Sequence, residues 1–69
     1  MLKQGQTYRH HSKNDKYYQI MVLERINEFR VDAVIVDAFS KVVYKAIFVD
    51  EYPDGTIDWG CTKRIPQPI

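Results

Sequence analysis

The chain has 69 residues, so we expect residues 1–69 to form a single small domain with one modest core. Hydrophobic residues make up 45% and charged residues 28%, a balance that is typical of globular chains and argues against intrinsic disorder. The formal net charge of +1 provides no overall field to attract nucleic acid or an anionic membrane. The sequence shows neither a signal peptide nor an apolar stretch of about 20 residues, which predicts a cytoplasmic protein without a membrane partner.

The first two predicted strands cover residues 6–10 and 17–26, with a polar turn over residues 12–16 between them. The residues of the second strand that share one parity are Tyr18, Ile20, Val22 and Ile26. Alternation with β-branched and aromatic side chains is typical of a half-buried strand.

A helix around residues 20–30 is the alternative for this segment. Residues 23–29 include good helix formers, and no glycine interrupts them. With this helix the fold would be α+β, and the helix would pack on a hairpin sheet.

Two further strands are predicted over residues 29–36 and 41–49, after short gaps at 27–28 and 37–40 that fit hairpins. The residues expected on their inner faces are Phe29, Val31, Ala33 and Ile35, and then Val42, Tyr44, Ala46 and Phe48.

The clearest turn is Tyr52-Pro53-Asp54-Gly55, where proline pre-sets φ and glycine accepts a positive φ. A fifth strand over residues 56–59 would place Ile57 and Trp59 on one side. Residues 65–69 contain two prolines, which predict an extended tail.

These elements predict an all-β fold, with a small five-stranded antiparallel sheet that forms an SH3-like barrel or a curled sheet. Closing the sheet removes its exposed edges, and a short chain with hairpin connections suits that architecture. The residues expected to meet in one core are Tyr18, Ile20, Val22, Val31, Ile35, Tyr44, Phe48 and Trp59.

Three short segments carry a resemblance to a known family. They are residues 5–13 (Gly-Gln-Thr-Tyr-Arg-His-His-Ser-Lys), residues 17–20 (Tyr-Tyr-Gln-Ile) and residues 42–48 (Val-Val-Tyr-Lys-Ala-Ile-Phe). Together they resemble the DUF1653 domain, a short bacterial domain without an assigned activity. The resemblance implies a small, mostly β module and no particular reaction.

Basic and aromatic side chains are concentrated near the N-terminus. The residues of this candidate site are Tyr8, Arg9, His10, His11, Lys13 and Lys16. The arginine fork, the histidine donors or acceptors and the tyrosine ring would suit phosphate, carboxylate or nucleotide groups. The alternative interpretation is an edge strand whose polar side chains deter edge-to-edge pairing.

Trp59 is a second candidate, because an exposed indole can stack on a base or anchor a protein partner. Alternatively, Trp59 closes one end of the core, with its N–H bonded to a carbonyl or a water.

The sequence shows no catalytic constellation. Cys61 is the only cysteine, and no histidine and asparagine or aspartate accompany it at a recognisable spacing, so we expect a small buried filler. The carboxylates at positions 50, 51, 54 and 58 lack the spacing of a calcium loop. We therefore expect no enzymatic activity, no metal and no cofactor.

The expected function is that of a small non-catalytic binding or regulatory module, of bacterial or phage origin, acting through protein–protein contacts. Its partner would be another protein or a second copy of the chain. The alternative is a nucleic-acid-binding module that uses the basic N-terminal strand and turn. That alternative predicts weak binding, because Arg9, Lys13 and Lys16 neutralise only a few phosphates.

Overall fold

The computed structural model describes residues 1–11, 16–59 and 63–69, which contain six β-strands. The strands are β1 (Thr7–His11), β2 (Tyr17–Asn27), β3 (Arg30–Asp37), β4 (Val43–Glu51), β5 (Ile57–Asp58) and β6 (Gln67–Pro68). The all-β prediction is confirmed, and the alternative helix around residues 20–30 is wrong, because β2 occupies most of that segment. Among the described residues, no helix is long and apolar enough to cross a membrane.

The strands form one antiparallel sheet in the order β5-β4-β3-β2-β1-β6. Turns at residues 28–29 and 38–40 join β2 to β3 and β3 to β4, close to the predicted gaps. The sheet has six strands where the sequence predicted five, because part of the C-terminal tail adds a short strand.

The C-terminal segment touches both edges of the sheet. Ile57 of β5 exchanges two backbone hydrogen bonds with Arg64, at N···O distances of 2.8 and 3.2 Å. Three residues later, Gln67 and Pro68 pair with β1. Proline is tolerated there because an edge strand does not need its missing N–H. The segment predicted as an extended tail therefore contributes to the sheet and curls it into a half-barrel.

The core lies on the inner face of the curled sheet. Its buried hydrophobic residues are Leu2, Tyr8, Ile20, Val22, Val31, Ala33, Ile35, Val49 and Ile57. Tyr18, Ile47 and Trp59 are partly buried and pack against this cluster. The inward positions predicted for Ile20, Val22, Val31, Ala33 and Ile35 are thus confirmed, whereas Tyr44 and Phe48 of β4 are exposed.

Tyr44 lies opposite the buried Ile35 and near Trp59, so it is on the inner face but exposed, whereas a β-bulge explains the error at Phe48. Ala33 pairs with Ile47, but Ile35 pairs with Tyr44, so three steps along β4 match two steps along β3. The extra residue reverses the alternation of side chains between the two faces. Val49 therefore points into the core, and Phe48 is 55% exposed on the outer face.

A similar bulge changes the C-terminal half of β2. Val22 pairs with Ala33, and Glu24 pairs with the adjacent Asp32, so Leu23 is the extra residue. Arg25 then lies opposite the buried Val31. Ile26, which was predicted to point inward, is consequently exposed.

The sequence also predicted the wrong position for the side chain of Phe29. This residue was assigned to the inner face of the third strand, but it lies in the turn before β3 and its ring is exposed. The strand begins one residue later, at Arg30.

The turn after β4 has the predicted geometry. The N–H of Gly55 donates to the carbonyl of Tyr52 at 3.0 Å, and the Gly55 φ of 88° confirms the predicted positive value. The Asp54 carboxylate accepts hydrogen bonds from the backbone N–H and the hydroxyl of Thr56, at 2.9 and 2.6 Å. These bonds fix the entry of the chain into β5.

We expect Gly55→Val to lower the free energy of unfolding by about 1–2 kcal/mol, because a β-branched residue is strained at positive φ. An added Cβ would meet no atom within 4 Å at this position, so the expected loss comes from backbone strain and not from a clash of the Cβ. Gly55→Asn is the matched control and should lose less, since asparagine tolerates this conformation. Urea denaturation measures both variants, and equal stability of Gly55→Val and the parent would contradict the turn assignment.

The bulge in β4 predicts that two alanine substitutions lower the free energy of unfolding by different amounts. Ile35 is fully buried, so Ile35→Ala should lower the free energy of unfolding by about 2–5 kcal/mol. Phe48→Ala removes a half-exposed ring and should cost about 1 kcal/mol or less. Equal losses in urea denaturation would place Phe48 in the core and contradict the bulge.

Candidate functional site

The N-terminal candidate site is divided between the two faces of β1. Tyr8 and His10 point inward and are buried, while Arg9 is exposed and His11 half-buried on the outer face. This division follows from the alternation of side chains along a strand. The predicted residues therefore do not form one patch. Lys13 and Cys61 lie outside the described residues.

The outward residues of β1 contact the start of β2. The Arg9 guanidinium lies over the Tyr17 ring, 5.2 Å from its centroid, and the His11 ring meets Tyr17 edge-on at 4.3 Å. Lys16 is exposed beside Tyr17. Cationic and aromatic groups thus share the outer surface at this end of the sheet.

A cleft of about 390 Å³ adjoins this surface and is lined by Lys16, Tyr17, Ala38 and Phe39. Phe39 is 86% exposed. The Asp37 carboxylate holds the loop by accepting the N–H groups of Phe39 and Ser40, at 2.9 and 3.1 Å. The hydrogen bond from Ser40, with smaller help from Phe39, keeps the pKa of Asp37 below its usual value.

On the inner face, His10 and Trp59 are joined by a hydrogen bond. The indole N–H donates to Nδ1 of His10 at 3.2 Å, which requires a neutral imidazole with its proton on Nε2. Trp59 also packs edge-on against Tyr18, with ring centroids 4.8 Å apart. Trp59 therefore closes one end of the core, as one interpretation predicted, but its N–H partner is a histidine instead of a carbonyl or water.

Burial is the main reason why the pKa of His10 lies below its ordinary value of 6.5. The backbone of Arg64 and the carboxylate of Asp58 counteract part of this effect. Within the described part of the chain, Nε2 of His10 is buried and has no hydrogen-bond partner. Protonation of this imidazole is therefore unfavourable in the folded state.

Sequence reasoning missed a second polar cluster, around Glu51. One oxygen of the buried Glu51 carboxylate accepts from Arg25 Nη2 at 2.7 Å, and the other accepts from the backbone N–H of Leu2 at 2.6 Å. Arg25 Nη2 also donates to the carbonyl of Leu2 at 2.5 Å. No local pattern in the sequence could reveal this cluster, because Arg25 faces inward only as a result of the bulge in β2.

The environment of Glu51 makes it a structural anion. Burial raises its pKa, but the hydrogen bonds from Arg25 and Leu2 and the charge of Arg25 outweigh burial and leave the pKa below its ordinary value. A carboxylate that stays ionised and is saturated with donors is a poor general base or nucleophile. Clefts of about 460 and 380 Å³ lie beside it, and both are lined in part by Met1, Glu51 and Gly55.

The described residues contain no group of three or more histidine, cysteine, aspartate or glutamate side chains placed to hold a metal ion. Three of the carboxylates at positions 50–58 have separate structural partners. Glu51 pairs with Arg25, Asp50 with Arg30 at 2.8 Å, and Asp54 with Thr56.

The largest feature that the sequence reasoning missed is an apolar strip on the outer face of β2, β3 and β4. We call it the outer stripe, and it consists of Met21, Val34, Val36, Val43 and Phe48. Met21 lies directly opposite Val34, and Val36 directly opposite Val43, so the pairs share one face. The continuous apolar run of residues 33–36 could have indicated this strip, because such a run is typical of a strand covered on both faces.

Comparisons with protein families, with curated proteins and with solved structures give no match for this chain. The resemblance of residues 5–13, 17–20 and 42–48 to the DUF1653 domain therefore stays a prediction.

The buried His10 predicts a loss of stability in mild acid. Its folded-state pKa is below 6.5, so as the pH falls through 6.5 the unfolded state takes up a proton first, and the free energy of unfolding decreases until His10 also titrates in the fold. Above pH 6.5 this contribution is fully present. Urea denaturation between about pH 5 and 7.5 measures the slope, and NMR titration of the ring reports its pKa directly.

His10→Gln should remove this slope, whereas the control His11→Gln should keep it. An NMR pKa for His10 at or above 6.5 would contradict the buried, neutral imidazole.

Proposed function

We propose that this chain is a small, non-catalytic, cytoplasmic binding module of bacterial or phage origin that acts through protein–protein contacts. The observation that carries the proposal is the outer stripe. Met21, Val43 and Phe48 are 44%, 50% and 55% exposed, and they surround the partly exposed valines of the central strand β3.

Apolar residues scattered singly over a surface are normal, but a contiguous patch marks an interaction site. The outer stripe is contiguous, because it spans three hydrogen-bonded strands. Hydrogen-bonded strands also hold it on an ordered backbone, so binding would cost little conformational entropy on this side of the interface. These properties support a protein partner that covers the face.

The nucleic-acid alternative has one observation in its favour. The cleft between Tyr17 and Phe39 combines exposed rings with Lys16 and the neighbouring Arg9, as surfaces that stack bases do. However, Tyr8 and His10 are buried and unavailable to a ligand on this surface. The cations that remain would neutralise only a few phosphates, so this alternative ranks second.

Site-specific photo-crosslinking distinguishes the two functions in cells that naturally make the chain. A photoreactive amino acid at Met21 or Val43 reports on the outer stripe, at Phe39 on the cleft, and at Ile65 on an exposed control site away from both. We expect protein adducts from positions 21 and 43 and none from position 65.

Adducts with nucleic acid from position 39, together with none from positions 21 and 43, would overturn the proposal in favour of the alternative. Equal protein labelling from all positions would indicate non-specific contact and would also count against it.

A further inference from the structure

The outer stripe has charges of opposite sign at its two ends. At one end, Glu24 lies directly opposite Asp32, in the cross-strand row that continues to Phe48. Like charges directly opposite each other destabilise a sheet. Among the described residues no cation forms an ion pair with either carboxylate, and the buried Oδ1 of Asp32 has no hydrogen-bond partner.

Arg9 lies at the other end, in the row formed with Gln19, Val36 and Val43. Its guanidinium stacks on Tyr17 but forms no ion pair with a carboxylate of the described residues. The Met21–Val34 row separates the acidic row from the row of Arg9. The face therefore carries the Glu24–Asp32 pair at one end, apolar side chains in the middle with the exposed Lys45 at their β4 edge, and Arg9 at the other end.

We propose that the partner of the outer stripe is a second copy of this chain, an inference that rests on the proposed function. In a symmetric dimer, each contact occurs twice because both copies use the same surface. The two-fold axis would lie in the plane of the interface, run across the strands and pass through the Met21–Val34 row. It then places the Glu24–Asp32 row of each copy over the Arg9 row of the other.

This arrangement compensates the features that the single chain leaves uncompensated. Arg9 of one copy approaches the Glu24–Asp32 pair of the other, and the apolar rows meet in the middle. A two-fold axis parallel to the strands would instead set acidic row on acidic row, which repulsion disfavours. The net charge of +1 per chain adds little overall repulsion between the copies.

Analytical ultracentrifugation over a range of chain concentrations tests the dimer. We expect a monomer–dimer equilibrium that weakens as the salt concentration rises, since exposed charges are screened. Glu24→Lys and Arg9→Glu should each raise the dissociation constant about tenfold, because each changes two symmetric contacts from attraction to repulsion. The controls Glu28→Lys and Lys3→Glu alter the charge equally at exposed sites outside these rows and should leave it unchanged.

Mixing the two charge-reversal variants gives the sharpest result. A Glu24→Lys chain is more basic at its acidic end, and an Arg9→Glu chain is acidic at its basic end, so each opposes itself but complements the other. We expect the mixture to form a heterodimer tighter than either homodimer. Circular dichroism of each variant verifies that the sheet is intact.

A chain that is monomeric at all concentrations would overturn the inference, as would a dimer that neither substitution weakens. In that case, crosslinks from position 21 to a different protein would leave the proposed function standing. The absence of any adduct from positions 21 and 43 would overturn both.

Discussion

The buried carboxylate of Glu51 is the interaction on which one end of the half-barrel depends. It joins the end of β4 to Arg25 of β2 and to the backbone of Leu2, which lie far apart in the sequence. An ionised carboxylate inside a protein is costly unless it is paired and hydrogen-bonded, and here both oxygens have donors. Because these bonds hold Leu2 in the core, they also close this end of the sheet with the N-terminal segment.

The sequence predicted the strands well because their alternation is local, but it could not predict the three register shifts between them. Ile20, Val22, Val31 and Ile35 lie before the register shifts or on the regular strand β3, and all of them are buried as predicted. Beyond a register shift, side chains that would have pointed inward point outward. For this reason the inward positions predicted for Ile26 and Phe48 are wrong. A bulge is fixed by how two strands fit together, and neither strand carries that information alone.

The candidate site was predicted only in part, for a related reason. Residue types alone suggested that Tyr8, Arg9, His10 and His11 act together, whereas a strand places neighbours on opposite faces. His10 accepts a hydrogen bond from Trp59, 49 residues away in the sequence, which no local motif could indicate. The outer stripe was visible in principle, since the apolar run of β3 is unnecessary for a strand with one solvated face.

The two faces of β3 therefore have different roles in the structure. Inward, Val31, Ala33 and Ile35 are fully buried, and the polar groups at the two ends of the core, Trp59 with His10 and Glu51 with Arg25, are engaged with each other. A partner can gain little from these groups without breaking the fold. Outward, Val34 and Val36 lie outside the core, and Glu24, Asp32 and Arg9 near them form no ion pair within the described residues. Folding does not require this face to be apolar, and solubility disfavours it, so its composition supports the proposal that a partner covers it.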